Sequence, residues 1–208
     1  MSAAPSSPFA PDVFFATAAR RLASASHAEG GDHVLNPDLP PMTAGYRDAA
    51  VLIPVVAREP EATVILTVRT AHLPSHAGQI AFPGGKIDPV DATPTEAALR
   101  EAEEEIGLAR DRVSVVGALM PYLSRTGFRI VPILGRVQAD YALTPNPDEV
   151  ADVFEVPLGF LMDPANHRHG TREFYGKART FYEIPYAERY IWGVSAGIIR
   201  GLYEQVYG

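Results

Sequence analysis

The sequence predicts a mixed α/β fold in which helices flank a mixed β-sheet. Short apolar runs rich in β-branched residues recur along the chain and are bounded by turn residues, which is typical of strands. Helical segments lie between some of these runs, but without the regular strand–helix alternation of a fully parallel sheet. The sheet is therefore expected to contain both parallel and antiparallel pairs.

Residues 1–46 differ in character from the rest and are predicted to form an appendage. The first eight residues, MSAAPSSP, are small or Pro/Ser-rich and are expected to be mobile. Asp12–Ala25 can form an amphipathic helix, and Gly30–Pro41 is interpreted as a linker. The main domain is placed at residues 47–208. A further hypothesis is that the appendage mediates formation of a homodimer.

The main domain opens with two predicted strands, Ala49–Ala57 and Ala62–Val68, which a short turn joins. A loop over Arg69–Ala77 and a short strand running into Phe82 follow. Pro83-Gly84-Gly85 is expected to break that strand.

The next helix is the best-marked element. Thr93 is suited to the N-cap, Pro94 to the first helical position, and Glu96 completes a capping box. Gly107 is suited to the C-cap. The remaining predicted elements are strands at Val113–Leu119, Arg129–Val137, Glu149–Val156 and Phe174–Phe181, and a helix at Ile191–Gln205.

Composition excludes several function classes. The net charge of −7 argues against non-specific nucleic-acid binding, which needs a basic excess. The absence of cysteine excludes disulfides and thiolate chemistry. The longest apolar run, Ala49–Ala57, is too short to span a membrane, and no signal peptide is apparent, so a cytoplasmic location is expected.

Four glutamates within five positions mark the predicted helix: Glu101, Glu103, Glu104 and Glu105. At roughly 100° per residue, all but Glu103 share one face, and Glu103 points to the other side. Such an oxygen-only cluster suits Mg²⁺ or Mn²⁺. A solvated helix face is the alternative interpretation.

Two glycines upstream of this helix favour the metal interpretation. Gly84 and Gly85 allow backbone groups to approach a metal ion or a phosphate closely. A loop–helix unit that combines glycines with a carboxylate face can cradle a metal–pyrophosphate group.

These residues resemble the Nudix family. Arg100–Leu108 matches the second half of the Nudix box at every specified position. The first half departs from the pattern, because one extra residue separates Gly85 from Arg100. Asp91 stands near the position of the box's first glutamate, with Ala92 as the insertion. The resemblance thus implies an Asp91–Arg100 pair.

An upstream signature resembles the coenzyme A pyrophosphatase branch of that family. Leu66–Arg69, Gly78 and Phe82–Gly85 keep its spacing, while Thr70 and Pro74 depart from it. Pro74 replaces an arginine that could contact phosphate. ADP-ribose, dinucleotides or oxidised nucleotides therefore remain alternative substrates. A nucleotide-sensing domain without activity is less favoured, because the glutamates are retained.

The resemblance implies a Nudix α/β/α sandwich that hydrolyses a nucleoside diphosphate derivative. For coenzyme A, the products would be 3′,5′-ADP and 4′-phosphopantetheine. Glu101, Glu104, Glu105 and the Gly85 carbonyl are the implied ligands of Mg²⁺ or Mn²⁺, and Arg100 is expected to orient the glutamates.

Glu149 and Arg69 each have a functional interpretation and a non-functional alternative. Glu149 is either a base or extra ligand, or a surface carboxylate. Arg69, together with Gly84 and Gly85, is expected at the substrate phosphates; otherwise Arg69 is a solvated strand end.

Histidines and the single tryptophan are assigned structural roles. His72 and His76 flank the substrate-side loop and are expected to be structural or exposed. His167 and His169 are spaced like metal ligands, but an exposed loop is favoured. Trp192 is interpreted as a core anchor at the start of the last helix, in preference to an adenine-stacking residue.

Overall fold

A computed structural model describes residues 7–24, 29–38, 45–73, 75–174 and 176–208. Its α-helices are α1 (Pro11–Ala23), α2 (Asp32–Leu35), α3 (Pro94–Ile106), α4 (Leu158–Met162) and α5 (Val194–Tyr207). Its strands are β1 (Gly30–Gly31), β2 (Arg47–Val56), β3 (Thr63–Arg69), β4 (Ile80–Ala81), β5 (Gly84–Lys86), β6 (Val113–Ala118), β7 (Tyr122–Leu123), β8 (Phe128–Val137), β9 (Val150–Pro157), β10 (Arg168–Phe174), β11 (Lys177–Tyr186) and β12 (Arg189–Trp192).

The main sheet is mixed, as predicted. Its strands follow the order β1-β7-β8-β2-β3-β4, while β5 pairs with β2, β6 with β8 and β9 with β3. The central β2–β8 pair is parallel, and β3 and β5 run antiparallel to β2. Successive β2 side chains enter opposite layers: Ile53 packs among α1, α4 and α5, and Leu52 packs under α3. The predicted α/β/α arrangement is confirmed.

The strand before Pro83 ends as predicted, at Ala81, but the glycine pair that follows forms a new strand. Gly84 and Gly85 belong to β5 and pair with Val51 and Ala50. Gly84 has a φ of 154°, and a Cβ at this position would overlap the Ala50 carbonyl oxygen. Glycine therefore lets β5 lie against β2, which brings this backbone to the site described below.

The N-terminal segment shares the core of the main sheet. Phe14, Phe15 and Ala18 of α1 are buried in the cluster that also contains α5. The expected linker over Gly30–Pro41 contains β1 and α2, because Gly30 and Gly31 pair with β7. The division at residue 47 stays a prediction, and residues 1–6, 25–28 and 39–44, on which part of the expected appendage falls, lie outside the described residues.

The C-terminal third corrects three predictions. The predicted strand Phe174–Phe181 is a hairpin of β10 and β11, and β12 completes a separate three-stranded antiparallel sheet. Trp192 ends β12, and the last helix begins only at Val194, because Gly193 between them has a φ of 65°.

Of the two histidines expected in an exposed loop, His167 is half-buried just before β10, and His169 is exposed but lies within β10. The Nε2 atom of His167 donates a hydrogen bond to the Leu161 carbonyl (2.7 Å), and its ring packs edge-on against Tyr203. His169 lies in β10 against Tyr182. Among the described helices, none is long and apolar enough to cross a membrane.

Candidate active site

Helix α3 begins and ends as its sequence predicts. The Thr93 side chain accepts a hydrogen bond from the Glu96 N–H (3.2 Å), and the Glu96 carboxylate accepts one from the Ala92 N–H (2.8 Å). Gly107 ends the helix in the left-handed conformation, with a φ of 68°. These caps set which face of α3 meets the sheet.

The four clustered glutamates of α3, Glu101 and Glu103–Glu105, divide as the helical geometry predicts. Glu105 faces the sheet with 5% of its side chain exposed, Glu101 is at 17%, and Glu104 is at the edge with 58% exposed. Glu103 lies on the other side, where it pairs with Arg110 at 2.9 Å. The face that carries Glu101, Glu104 and Glu105 is thus directed toward β5.

Arg100 joins the carboxylates at the edge of this face. Its Nη1 donates to Glu101 (3.1 Å) and Glu104 (2.9 Å). Its Nε and Nη2 donate to Asp91 at 3.0 and 2.9 Å, which gives the pair that the family resemblance implies. These bonds lower the pKa of Asp91 to about 2. Arg100 therefore orients the glutamates and keeps Asp91 ionised.

Glu105 is the most buried carboxylate of the site. Its Oε2 accepts the Gly84 N–H at 3.1 Å, and its Oε1 lies 3.6 Å from Nη1 of Arg69. Burial raises its pKa to about 7 despite these two partners, and the charges of Glu101 and Glu149 add to the increase. The site therefore holds more negative charge than its own arginines balance.

Strand β5 and Glu101 are in direct contact. A Cβ built on Gly85 would lie 2.5 Å from Glu101 Oε1, so only glycine fits beside this carboxylate. Burial also raises the pKa of Glu101, with Glu104 and Glu149 adding to the increase. Within the described ranges, no three acidic or histidine side chains already stand as a metal cage. The oxygen-only donors and their unbalanced charge nevertheless fit a hard divalent cation.

Residues from two loops complete the surroundings. Glu149 immediately precedes β9, its carbonyl accepts the Thr70 N–H (3.0 Å), and its carboxylate acts on the pKa values of Glu101 and Glu105. His72 donates to the Asp148 carbonyl (3.0 Å) and has a structural role, as expected.

A cavity of about 650 Å³ opens over β5. Arg69, His76, Gly84 and Gly85 are among its lining residues. Trp192 also lines it from the end of β12, which corrects the expectation of a core anchor at a helix start. Sequence analysis also missed Arg172 and Phe181, together with Asn36, Arg47, Lys86, Arg125 and Arg179, as lining residues.

Comparisons with known proteins agree with this geometry. A family model described as the NUDIX domain matches residues 46–177. The uncharacterized Nudix hydrolase NudL of Escherichia coli K12 is 41% identical over 175 residues, which cover 83% of this chain and 90% of NudL. NudL of Shigella boydii shows the same identity and coverage.

Solved structures resemble the fold at low sequence identity. DR0079 of Deinococcus radiodurans has a TM-score of 0.51 and 15% identity, covering 80% of this chain and 87% of its own. A MutT/nudix family protein of Enterococcus faecalis has a TM-score of 0.50 and 15% identity, covering 81% and 64%.

The fold and the glutamate-bearing helix thus define a Nudix domain. The chain belongs to the Nudix hydrolase family, whose members use divalent metal ions, and it hydrolyses pyrophosphate bonds in small nucleotide derivatives.

Proposed function

We propose that the chain hydrolyses the pyrophosphate bond of coenzyme A or acyl-CoA and releases 3′,5′-ADP and 4′-phosphopantetheine. One observation carries this proposal. Arg69 and Gly84, which belong to the signature of the coenzyme A branch, both contact Glu105 of the Nudix box. The substrate signature and the carboxylate face therefore form one site beside the cavity.

In the proposed reaction, water adds to one phosphorus of the pyrophosphate. A P–O bond forms, the bond from that phosphorus to the bridging oxygen breaks, and the oxygen leaves with the other phosphate. A carboxylate accepts the proton of the attacking water. Glu149, which enters from the loop before β9, and Glu105 are the two candidates, since both belong to the same group of interacting charges.

The α3 face would hold Mg²⁺ or Mn²⁺ through Glu101, Glu104 and Glu105, with the Gly85 carbonyl as a further oxygen ligand. When bound, the ion supplies charge neutralisation of the pyrophosphate and acidifies a bound water. Arg100 keeps Glu101 and Glu104 in place through its two Nη1 hydrogen bonds. This role makes Arg100 a positioning residue.

Arg69 is the proposed phosphate ligand on the sheet side. A quarter of its side chain is exposed, it lines the cavity, and its guanidinium approaches Glu105 from the opposite side to α3. An arginine in this position can donate to a phosphate oxygen without leaving the carboxylate site. The Gly84 and Gly85 backbone lies along the same wall and leaves room for the substrate.

A second candidate is a related nucleoside diphosphate derivative, such as ADP-ribose or a dinucleotide. Pro74 favours it, because the coenzyme A signature has an arginine there; Pro74 itself lies outside the described residues. Cytoplasmic location and a homodimer stay predictions.

The test is a panel of substrates with Mg²⁺ or Mn²⁺: coenzyme A, ADP-ribose, NADH and nucleoside triphosphates, with separation of the products. The expected result is 3′,5′-ADP from coenzyme A, at a higher kcat/KM than any other compound, and loss of turnover with chelator. Preferential turnover of ADP-ribose would keep the hydrolase and reject the coenzyme A assignment. No turnover with any compound would reject both and favour a nucleotide sensor.

A further inference from the structure

The three-stranded sheet supplies an outer wall to the cavity. The ring centroids of Phe181 and Trp192 lie 5.3 Å apart, and the Arg172 guanidinium lies 4.6 Å from the Trp192 ring and 5.9 Å from that of Phe181. These three side chains line the same cavity as the β5 glycines. We call them the outer wall.

The outer wall is attached on two sides. The Asn36 side chain donates to the Thr180 carbonyl and accepts the Thr180 N–H, both at 2.9 Å. It thus makes the two hydrogen bonds to β11 that the backbone of a neighbouring strand would make. The Ser195 hydroxyl donates to the Ile80 carbonyl at 2.8 Å, just after Trp192. The wall is therefore built before any ligand arrives, as binding sites for small molecules usually are.

The positive charge of the outer wall favours an anionic ligand. Arg172 and Arg179 are direct partners in the antiparallel β10–β11 register, an arrangement of like charges that destabilises a hairpin. Arg172 forms no ion pair with a carboxylate in the described part of the chain. Arg172 is therefore available to pair with an anionic group of a bound ligand.

Cationic residues also outnumber acidic ones in the rest of the cavity lining, although the chain as a whole carries a net charge of −7. Among its described lining residues, the only carboxylate is Asp32, which accepts hydrogen bonds from the Tyr122 hydroxyl and the Arg125 N–H. The cationic lining residues are Arg47, Arg69, Lys86, Arg125, Arg172 and Arg179. The substrate should therefore carry anionic groups away from its pyrophosphate as well.

We propose that the outer wall binds the nucleotide end of the substrate, with the purine stacked on Trp192 and a phosphate on its ribose paired with Arg172. This inference rests on the proposed function, since coenzyme A carries such a 3′-phosphate. Its pantetheine arm has neither an aromatic ring nor an anion, so it gains nothing from this wall. Stacking on an aromatic ring and pairing with arginine both suit the nucleotide end.

Trp192 allows a direct test because it is the only tryptophan in the chain. Its fluorescence is followed while metal-free protein is titrated with 3′,5′-ADP, 5′-AMP and pantetheine, with calorimetry to confirm binding. Both nucleotides should change the emission, and 3′,5′-ADP should bind roughly tenfold more tightly, the effect of one charged hydrogen bond. Nucleotide binding without a change in emission, or a change caused by pantetheine, would overturn the proposal.

The second test compares Arg172→Gln with Arg168→Gln, an exposed arginine on the same strand but outside the cavity lining. Arg172→Gln should weaken 3′,5′-ADP binding about tenfold and lower the kcat/KM ratio of coenzyme A to its 3′-dephosphorylated form by a similar factor. Arg168→Gln should change neither by more than about twofold, within the weak effect of a remote surface charge.

The two proposals can fail separately. If coenzyme A is not hydrolysed but 3′,5′-ADP still quenches Trp192 and needs Arg172, the proposed function fails and the outer wall remains a nucleotide site. If coenzyme A is hydrolysed and Arg172→Gln leaves both the ratio and 3′,5′-ADP affinity unchanged, the wall assignment alone is wrong. Thermal unfolding of the parent, Arg172→Gln and Arg168→Gln proteins gives the check on folding.

Discussion

Two arginine–carboxylate clusters lie near opposite ends of strand β2 and differ in how their charges are satisfied. One cluster lies just beyond the end of β2. Here the Glu155 carboxylate accepts two hydrogen bonds from Arg58, at 2.6 Å each, and others from Thr63 and Tyr141. We call this the Glu155 cluster. Burial alone would raise the pKa of Glu155, but these donors lower it to about 2.

Near the beginning of β2, the carboxylates outnumber the cations. Asp91, Glu101 and Glu104 all share Arg100, while Glu105 has only a distant Arg69 and one backbone N–H. Here the pKa of Glu105 rises to about 7, whereas that of Glu155 falls. A cluster whose carboxylate has all its hydrogen-bond donors, which we call saturated, stabilises the fold. A cluster with too few donors, which we call unsaturated, can instead bind a cation.

Three predictions test this difference. The largest effect is expected for Glu105→Gln. The kcat for coenzyme A should fall about a thousandfold, because a central carboxylate of the site is lost. The metal-free variant should unfold at the same temperature as the parent or higher, since one of the repelling charges is gone. Steady-state kinetics and thermal unfolding on the same preparation measure both.

Glu103→Gln is the matched control for that variant. Glu103 lies on the same helix but pairs with the exposed Arg110, so kcat should stay within about twofold. If Glu105→Gln kept kcat within about tenfold of the parent, the carboxylate face would not be the catalytic centre.

A smaller loss is expected for Gly85→Ala. The new methyl group would lie 2.5 Å from Glu101 Oε1 and must displace this carboxylate. A misplacement of this kind should lower kcat/KM about a hundredfold. Gly45→Ala, where no atom lies within 4 Å of the added group, should leave kcat/KM unchanged. Equal kcat/KM of the two variants would show that Gly85 is not part of the active site.

The smallest effect is expected for Glu155→Gln, which tests the saturated cluster. The free energy of unfolding at neutral pH should fall by about 2 kcal/mol, a value reduced for the solvent exposure of Arg58. Because the folded pKa of Glu155, about 2, lies below its ordinary 4.5, this stabilisation is present above about pH 4.5. It is lost as the pH falls toward 2.

Urea unfolding of the parent and Glu155→Gln across this pH range gives the measurement. The two stabilities should converge in acid, and kcat at neutral pH should be unchanged. A difference in stability that stays constant with pH would show that the Glu155 charge is not the source of the stabilisation.

Local patterns in the sequence were sufficient for much of this molecule. The caps Thr93 and Gly107 and the spacing of Glu101, Glu104 and Glu105 depend only on neighbouring residues and on helical geometry, and they appear in the structure as predicted. The mixed sheet also followed from apolar runs whose length and composition mark strands. Because these features depend on residues close together in the sequence, the sequence alone predicts them.

Tertiary structure decided the surroundings of the glutamate face. The predicted break after Phe82 is present, but Gly84 and Gly85 then pair with β2 as a new strand. At Gly84 the β2 backbone comes so close that only glycine fits. Trp192 was assigned to the core, but the positive φ of Gly193 separates β12 from α5 and leaves the ring on the cavity wall.

The sequence by itself thus determined the family, the helix that carries the glutamates and the sign of its charge. Only the tertiary structure decided what lines the cavity, since Asn36 bonds to Thr180 across 144 positions of the chain and Arg172 meets the Trp192 ring from another strand. The environment of these residues depends on contacts between distant segments of the chain, such as those of the Asn36 side chain with β11. This is why the hydrolase family was readable from the sequence and the lining of the cavity was not.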